Sequence, residues 1–170
     1  MVDILQIVAL ILVVVAMVPA LAHALELPGK LRLSKDAYFT VQPIYYPGFT
    51  FAGFAEPAAI IATAGLWYMA PAGGTDSALT LAALLGLVAM HAVYWLFTHP
   101  VNDFWLQGEK LGRLGAGFFS IGSKREGTKD QPLPWTALRD RWEYSHVVRA
   151  GLAFASFLAL VVAIATAGGE

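Results

Sequence analysis

His23, Glu26, Glu56, His91, His99, Glu143, His146 and Arg149 are the ionisable residues that fall within, or at the ends of, the long apolar runs of this chain. Imidazoles and carboxylates in such surroundings can move protons or hold a metal, with the carboxylate orienting the ring in the first case and ligating beside it in the second. His23 with Glu26 and Glu143 with His146 are i, i+3 pairs, which share a helix face. The second pair reads Glu-x-x-His, as in the carboxylate-bridged metal sites of four-helix bundles, which take it from two helices and add a Glu from each of the others. Here the first pair has the reverse order, and His91 stands where a carboxylate is expected. Glu26, Glu56, His91, Glu143 and His146 are therefore candidate ligands for iron, manganese, zinc or copper, with His23 and His91 also candidate cofactor-binding imidazoles. Structural roles compete with these. His23, Glu26, Glu143 and Arg149 lie close enough to the headgroups to snorkel or to pair with one another. Glu56 and His91 lie deeper, where an unpaired charge costs on the order of 2.5 to 3.5 kcal/mol, so a partner or a wet cavity is required. A neutral Glu56 bonded to His91, or to a carbonyl freed by Pro57, would be the structural solution. His99, beside Pro100, is placed at the interface, about 12 Å along the helix axis from His91 and too far to share an ion with it.

The elements that must position these groups are apolar runs over residues 4–25, 49–70, 78–98 and 144–167, each long enough to cross about 30 Å of hydrocarbon. The expected fold is all-α: a single four-helix integral membrane bundle over residues 1–170, with short interfacial helices in its loops. Composition agrees, since 58% of the 170 residues are hydrophobic, 14% are charged and the mean hydropathy is +0.62. A net charge of -1 removes the electrostatic basis for nucleic-acid binding. The absence of cysteine removes disulfides, thiolate metal sites and thiol redox chemistry. The first span is expected to be retained rather than cleaved, because Met1-Val2-Asp3 lacks the basic residues of a signal peptide. Lys and Arg concentrate in segments 26–48 and 99–143, so the positive-inside rule puts those loops in the cytoplasm and both termini outside the plasma membrane. With helices alternating in direction, the polar groups then converge on the cytoplasmic half of every span.

Ser34 is a plausible N-cap for a short helix carrying Tyr38, Phe39, Val41, Gln42 and Tyr45, expected at the membrane interface. Residues 103–122 read as an amphipathic interfacial stretch, and SKREGTKDQPLP as an exposed loop. The fourth helix should begin near Trp135 and run unbroken into the membrane. Ala82 with Gly86, Ala58 with Ala62, and Gly151 with Ala155 would allow close helix approach, while Pro19 and Pro57 should bend their spans.

HALELPGKLRLSKDAYFTVQPIYYPGF, FTHPVNDFWL and WTALRDRWEYSHVVRAGLAF together resemble the anthrone oxygenase-like membrane protein family over nearly the whole chain. The most specific pieces are Pro100-Val101-Asn102 and Trp142-x3-His146-x2-Arg149. The resemblance implies a four-helix membrane protein, some of whose relatives oxidise an anthrone to an anthraquinone with molecular oxygen. Its polar positions correspond here to His23, Asn102, His146 and Arg149, whereas Glu56 and His91 are additions. On that basis His146 would act as base with Glu143 orienting it, Asn102 would bond the developing enolate oxygen and Arg149 would add positive potential. A flat hydrophobic substrate would enter from the bilayer between Tyr45, Trp95 and Trp142. The chemistry needs no metal, although a bound iron or other transition metal on the ligand set above is a second version. The non-enzymatic alternative is a haem- or metal-binding anchor or accessory subunit, with a homo-oligomer or a membrane partner left open.

Overall fold

A computed structural model of the chain describes residues 2–105 and 134–167. Every regular element among them is helical, and four stretches, Asp3–Lys30, Gly48–Met69, Thr75–Asn102 and Trp135–Thr166, are long and apolar enough to cross a membrane. The chain is an integral membrane protein with the expected all-α architecture. Ile7, Ile11, Val18, Leu85, Phe154 and Leu158 face outward, which suits a lipid environment as apolar as the side chains themselves. Most of the expected amphipathic stretch and of the loop after it lies outside the described residues.

The first helix, α1, runs over Val2–Lys30, a turn beyond its apolar segment, with Pro19 and Pro28 inside it. Ala9, Val13, Ala16, Ala20, His23 and Lys30 form one buried stripe at three-, four- and seven-residue spacings. Lys30 is therefore carried inward two turns after His23. Helix α2 (Lys35–Val41) starts at Ser34, whose hydroxyl accepts from the Ala37 amide at 3.3 Å, as the cap reading expected. It closes one end of the bundle, with Tyr38 only 1% exposed. A 3-10 turn at Gln42–Tyr45 leads to α3 (Gly48–Gly53) and α4 (Ala55–Met69).

The second span is thus two helices that break at Phe54 rather than one helix bent at Pro57. Proline has no amide hydrogen and its ring collides with the carbonyl four residues back, so it is accommodated without loss in the first turn of a new helix, where Pro57 stands. That restart places Glu56 in the first turn of α4, where the helix dipole favours its charge. The third span is α5 (Thr75–Val93), a π-helical turn at Tyr94–Thr98, and α6 (His99–Trp105). Pro100 leaves the Leu96 carbonyl without its usual amide, and an Arg141 guanidinium nitrogen donates to that oxygen at 2.7 Å. Helix α7 (Trp135–Thr166) begins where expected.

Helix α7 packs against α1 and α5, and α4 packs against the same two, closing the bundle. Ala9, Val13, Ala59, Ala62, Ala83, Leu87 and Leu160 form its dry core. Of the small-residue pairs, Gly86 meets Ser156 of α7 and Ala62 is buried, but Ala82, Gly151 and Ala155 are exposed. Small side chains at four-residue spacing occur on both faces of an apolar helix, so spacing alone does not select the contact face.

Candidate functional site

Between the four spans lies a cavity of about 370 Å3, within the range of small-ligand sites. Its wall includes His23 of α1, Glu56 of α4, His91 of α5, Asn102 of α6, and Trp142, His146 and Arg149 of α7. Tyr45, Phe49, Tyr94, Trp95 and Trp105 supply aromatic surface. The run Trp142, His146, Arg149 follows i, i+4, i+7, so all three project from one side of α7. Tyr45, Trp95 and Trp142, expected to border a substrate, all line the cavity.

Two polar clusters hold this wall. In the first, the Lys30 ammonium, 4% exposed, donates to His23 Nδ1 at 2.8 Å and pairs with Glu26 at 3.0 Å and Glu143 at 3.4 Å. It also sits 4.5 Å from the centre of the Tyr45 ring and 5.3 Å from that of Trp142. Glu143 is fully buried and accepts the Tyr38 hydroxyl at 2.8 Å. Burial first, and then the Glu143 carboxylate, push the Tyr38 phenol far above the usual tyrosine range. Burial and Glu26, which accepts the Tyr45 hydroxyl at 2.7 Å, push Tyr45 upward in the same way.

In the second cluster, the Arg149 guanidinium donates to Glu56 Oε1, and His91 Nδ1 lies 3.2 Å from Glu56 Oε2. Trp95 donates its indole hydrogen to His91 Nε2 at 2.9 Å. An indole can only donate, so His91 Nε2 is an acceptor and the ring's proton sits on Nδ1, facing Glu56. Both ring nitrogens are engaged, and Glu56 is paired with Arg149 rather than held neutral by His91 alone. The cost of a carboxylate at depth is offset by a guanidinium partner and a helix N-terminus.

The two remaining candidates are also engaged. His146 Nδ1 lies 2.8 Å from the Trp142 carbonyl oxygen, which can only accept, so Nδ1 carries the proton and Nε2 is left with its lone pair. Asn102 Oδ1 accepts the Trp142 indole hydrogen at 2.7 Å, and its amide nitrogen lies 3.5 Å from the Tyr94 hydroxyl. His23 and His146 come together with ring centres 4.3 Å apart. Glu143 and His146 share the helix face as expected, yet Glu143 reaches Tyr38 and Lys30 while a backbone carbonyl orients His146. Of the expected ligands, Glu26 and Glu143 fall in the first cluster, Glu56 and His91 in the second, and His146 in neither. Among the described residues, no three His, Asp or Glu side chains gather in an arrangement that could hold a metal ion. His99 is buried within the protein, 4.7 Å from Trp95 in a stacked contact. Lys30 and Trp105 were not singled out as site residues from the sequence, and Tyr38 and Gln42 only as part of a short helix. The seven-residue step from His23 to Lys30 and the four-residue step from Tyr38 to Gln42 were the available signals.

Residues 48–159, more than half of the chain, match the family model described as anthrone oxygenase. The chain belongs to the anthrone oxygenase family. No curated protein and no solved structure gives a significant match to it. The part shared with the anthrone oxygenase family takes in Glu56, His91, Asn102, Trp142, His146 and Arg149. His23, Gln42 and Tyr45 lie before it, so the matched region meets the cavity from α3, α4, α5, α6 and α7 while α1 and the 3-10 turn complete the wall from outside it.

Proposed function

We propose that this protein is a membrane-embedded oxygenase that converts the acidic methylene of a flat, hydrophobic, anthrone-like substrate to a carbonyl with molecular oxygen. The observation that carries this reading is His146: its Nδ1 is tied to a carbonyl, so the Nε2 lone pair is left for an aromatic-walled cavity in a chain of the anthrone oxygenase family. His146 Nε2 removes one methylene proton, the resulting enolate reduces oxygen and joins it, and the same proton passes to the terminal peroxide oxygen to give a hydroperoxide. His146 then takes the second C–H proton as the O–O bond breaks, leaving the carbonyl and a hydroxide that is protonated to water. Over the whole reaction, CH2 plus O2 yields C=O plus H2O, so the substrate supplies all the electrons and both protons of the water.

Arg149 is the better placed electrostatic group, because its Nε–H has no partner among the described residues while another nitrogen is held by Glu56. Asn102 positions Trp142 and can offer its amide to the enolate oxygen. The test uses purified protein in mild detergent with anthrone as probe. Wild type should form anthraquinone and, without oxygen, exchange the methylene hydrogens with deuterated water. His146→Gln should lower both rates by about 10²- to 10⁴-fold, as loss of a positioned base does. Unchanged exchange in His146→Gln would overturn its role as base.

A further inference from the structure

The two cavity histidines have chemically opposite partners at Nδ1. His146 Nδ1 faces a carbonyl oxygen, which can only accept, and His23 Nδ1 faces the Lys30 ammonium, which can only donate. The tautomers that follow are opposite: His146 keeps its proton on Nδ1 and a lone pair on Nε2, whereas His23 keeps a lone pair on Nδ1 and its proton on Nε2. With both Nδ1 atoms engaged, the nitrogens left for the shared cavity are one acceptor and one donor, on rings 4.3 Å apart.

We infer that His23 and His146 form an acid–base pair of fixed, opposite tautomers, with Lys30 as the positioning residue that makes His23 the acid. This rests on the oxygenase reading for its substrate but on the observed hydrogen bonds for its geometry. It also gives a role to a lysine that the base mechanism leaves unused, buried at 4% exposure in a membrane helix.

The proton traffic closes without any external donor. When the O–O bond breaks, His23 passes its Nε2 proton to the departing oxygen while Lys30 passes one to Nδ1, leaving Lys30 as a neutral amine. The proton that His146 took from carbon then moves to His23 Nε2, and Nδ1 returns its proton to Lys30. Every group ends as it began, and the two substrate protons leave as water. The charged and polar groups facing Lys30 suit this duty. Glu143 and Glu26 stabilise the ammonium that the cycle must restore, and the Tyr45 and Trp142 rings flank it. Glu26, with its side chain 43% exposed, borders an outer groove beyond Tyr45 and Phe49, so Lys30 can also be recharged from water.

The test reads the ring nitrogens directly, by 15N spectra of histidine-labelled protein in detergent, with single His→Gln variants for assignment. His23 should show a bare Nδ1 and a protonated Nε2, and His146 the reverse. Lys30→Met could leave Glu143 without its cation, so Lys30→Met is paired with Glu143→Gln to keep the interior neutral. That double variant should lose the His23 pattern and keep that of His146, and Lys30→Arg should restore it. With anthrone, the double variant should retain anaerobic methylene exchange but form quinone about tenfold or more slowly, with hydroperoxide accumulating. A protonated Nδ1 on His23 in wild type, or an unchanged His23 pattern in the folded double variant, would overturn the pair while leaving the oxygenase reading intact. The expected patterns in a wild type that cannot exchange anthrone would support the pair and sink the oxygenase reading instead.

Discussion

Glu56 and Arg149 show how a residue that sequence marks as costly becomes affordable to the fold. A carboxylate in the hydrocarbon region invites either a metal or a neutral hydrogen bond as explanation. The structure supplies a third answer, an ion pair with Arg149 from another helix. Removing one partner of such a pair costs about 3 to 5 kcal/mol, because the other charge is left buried and alone. Glu56→Ala should therefore melt well below wild type in detergent, and adding Arg149→Met should recover much of the loss without recovering anthrone turnover. A Glu56→Ala melting temperature equal to that of wild type would show the pair to be structurally idle. Tyr38 makes a pH-dependent prediction. Its folded phenol is held neutral far above its ordinary range, while in the unfolded chain it loses its proton near pH 10. Above that pH the unfolded state binds fewer protons than the folded one, so stability should be full below about pH 10 and fall as pH rises beyond it. Tyr38→Phe should lose about 1.5 to 3 kcal/mol near neutrality, as for a hydrogen bond to a charged group, and show a shallower alkaline decline. Thermal melts of both proteins across that pH range would reveal a steeper decline if the reading is wrong.

At the scale of the elements, α5 and α7 approach closely at Gly86. A Cβ on Gly86 would collide with the Ser156 hydroxyl, which donates to the Leu152 carbonyl at 2.8 Å. Gly86→Leu, which keeps a good membrane-helix former, should cost about 1 to 3 kcal/mol through overpacking, and Ser156→Ala in the same chain should return part of it. Equal melting of Gly86→Leu and wild type would mean that the two helices separate freely. The breaks matter as much as the contacts. Pro57 starts a new helix just before the cavity, and Pro100 releases a carbonyl that Arg141 takes up. Both prolines are visible in the sequence, but that Arg141 takes up the carbonyl freed by Pro100 is decided by the tertiary structure.

For the whole molecule, the positive-inside reading of Lys and Arg predicts both termini and the turn after α4 outside the cell, with α2 inside. The chain has no cysteine, so single substitutions give an unambiguous test. Ala72→Cys should react with a membrane-impermeant thiol reagent in intact cells, and Lys35→Cys only after lysis; the reverse pattern would invert the topology. Sequence alone determined the four spans, the start of α7, the Ser34 cap and the presence of buried acids, bases and imidazoles at one end of the bundle. Those features follow from local periodicity, composition and transfer free energy, which each segment carries within itself. Tertiary structure alone decided the partners: Glu143 to Tyr38 and Lys30, Arg149 to Glu56, His23 beside His146, and His91 held between Glu56 and Trp95. A one-residue change of facing rotates a side chain by about 100° around an α-helix, so pairings between helices depend on how the helices turn and break against one another. That is why the sequence marked most of the ionisable groups around the cavity, yet could not show that Lys30 and a backbone carbonyl give its two histidines opposite protons.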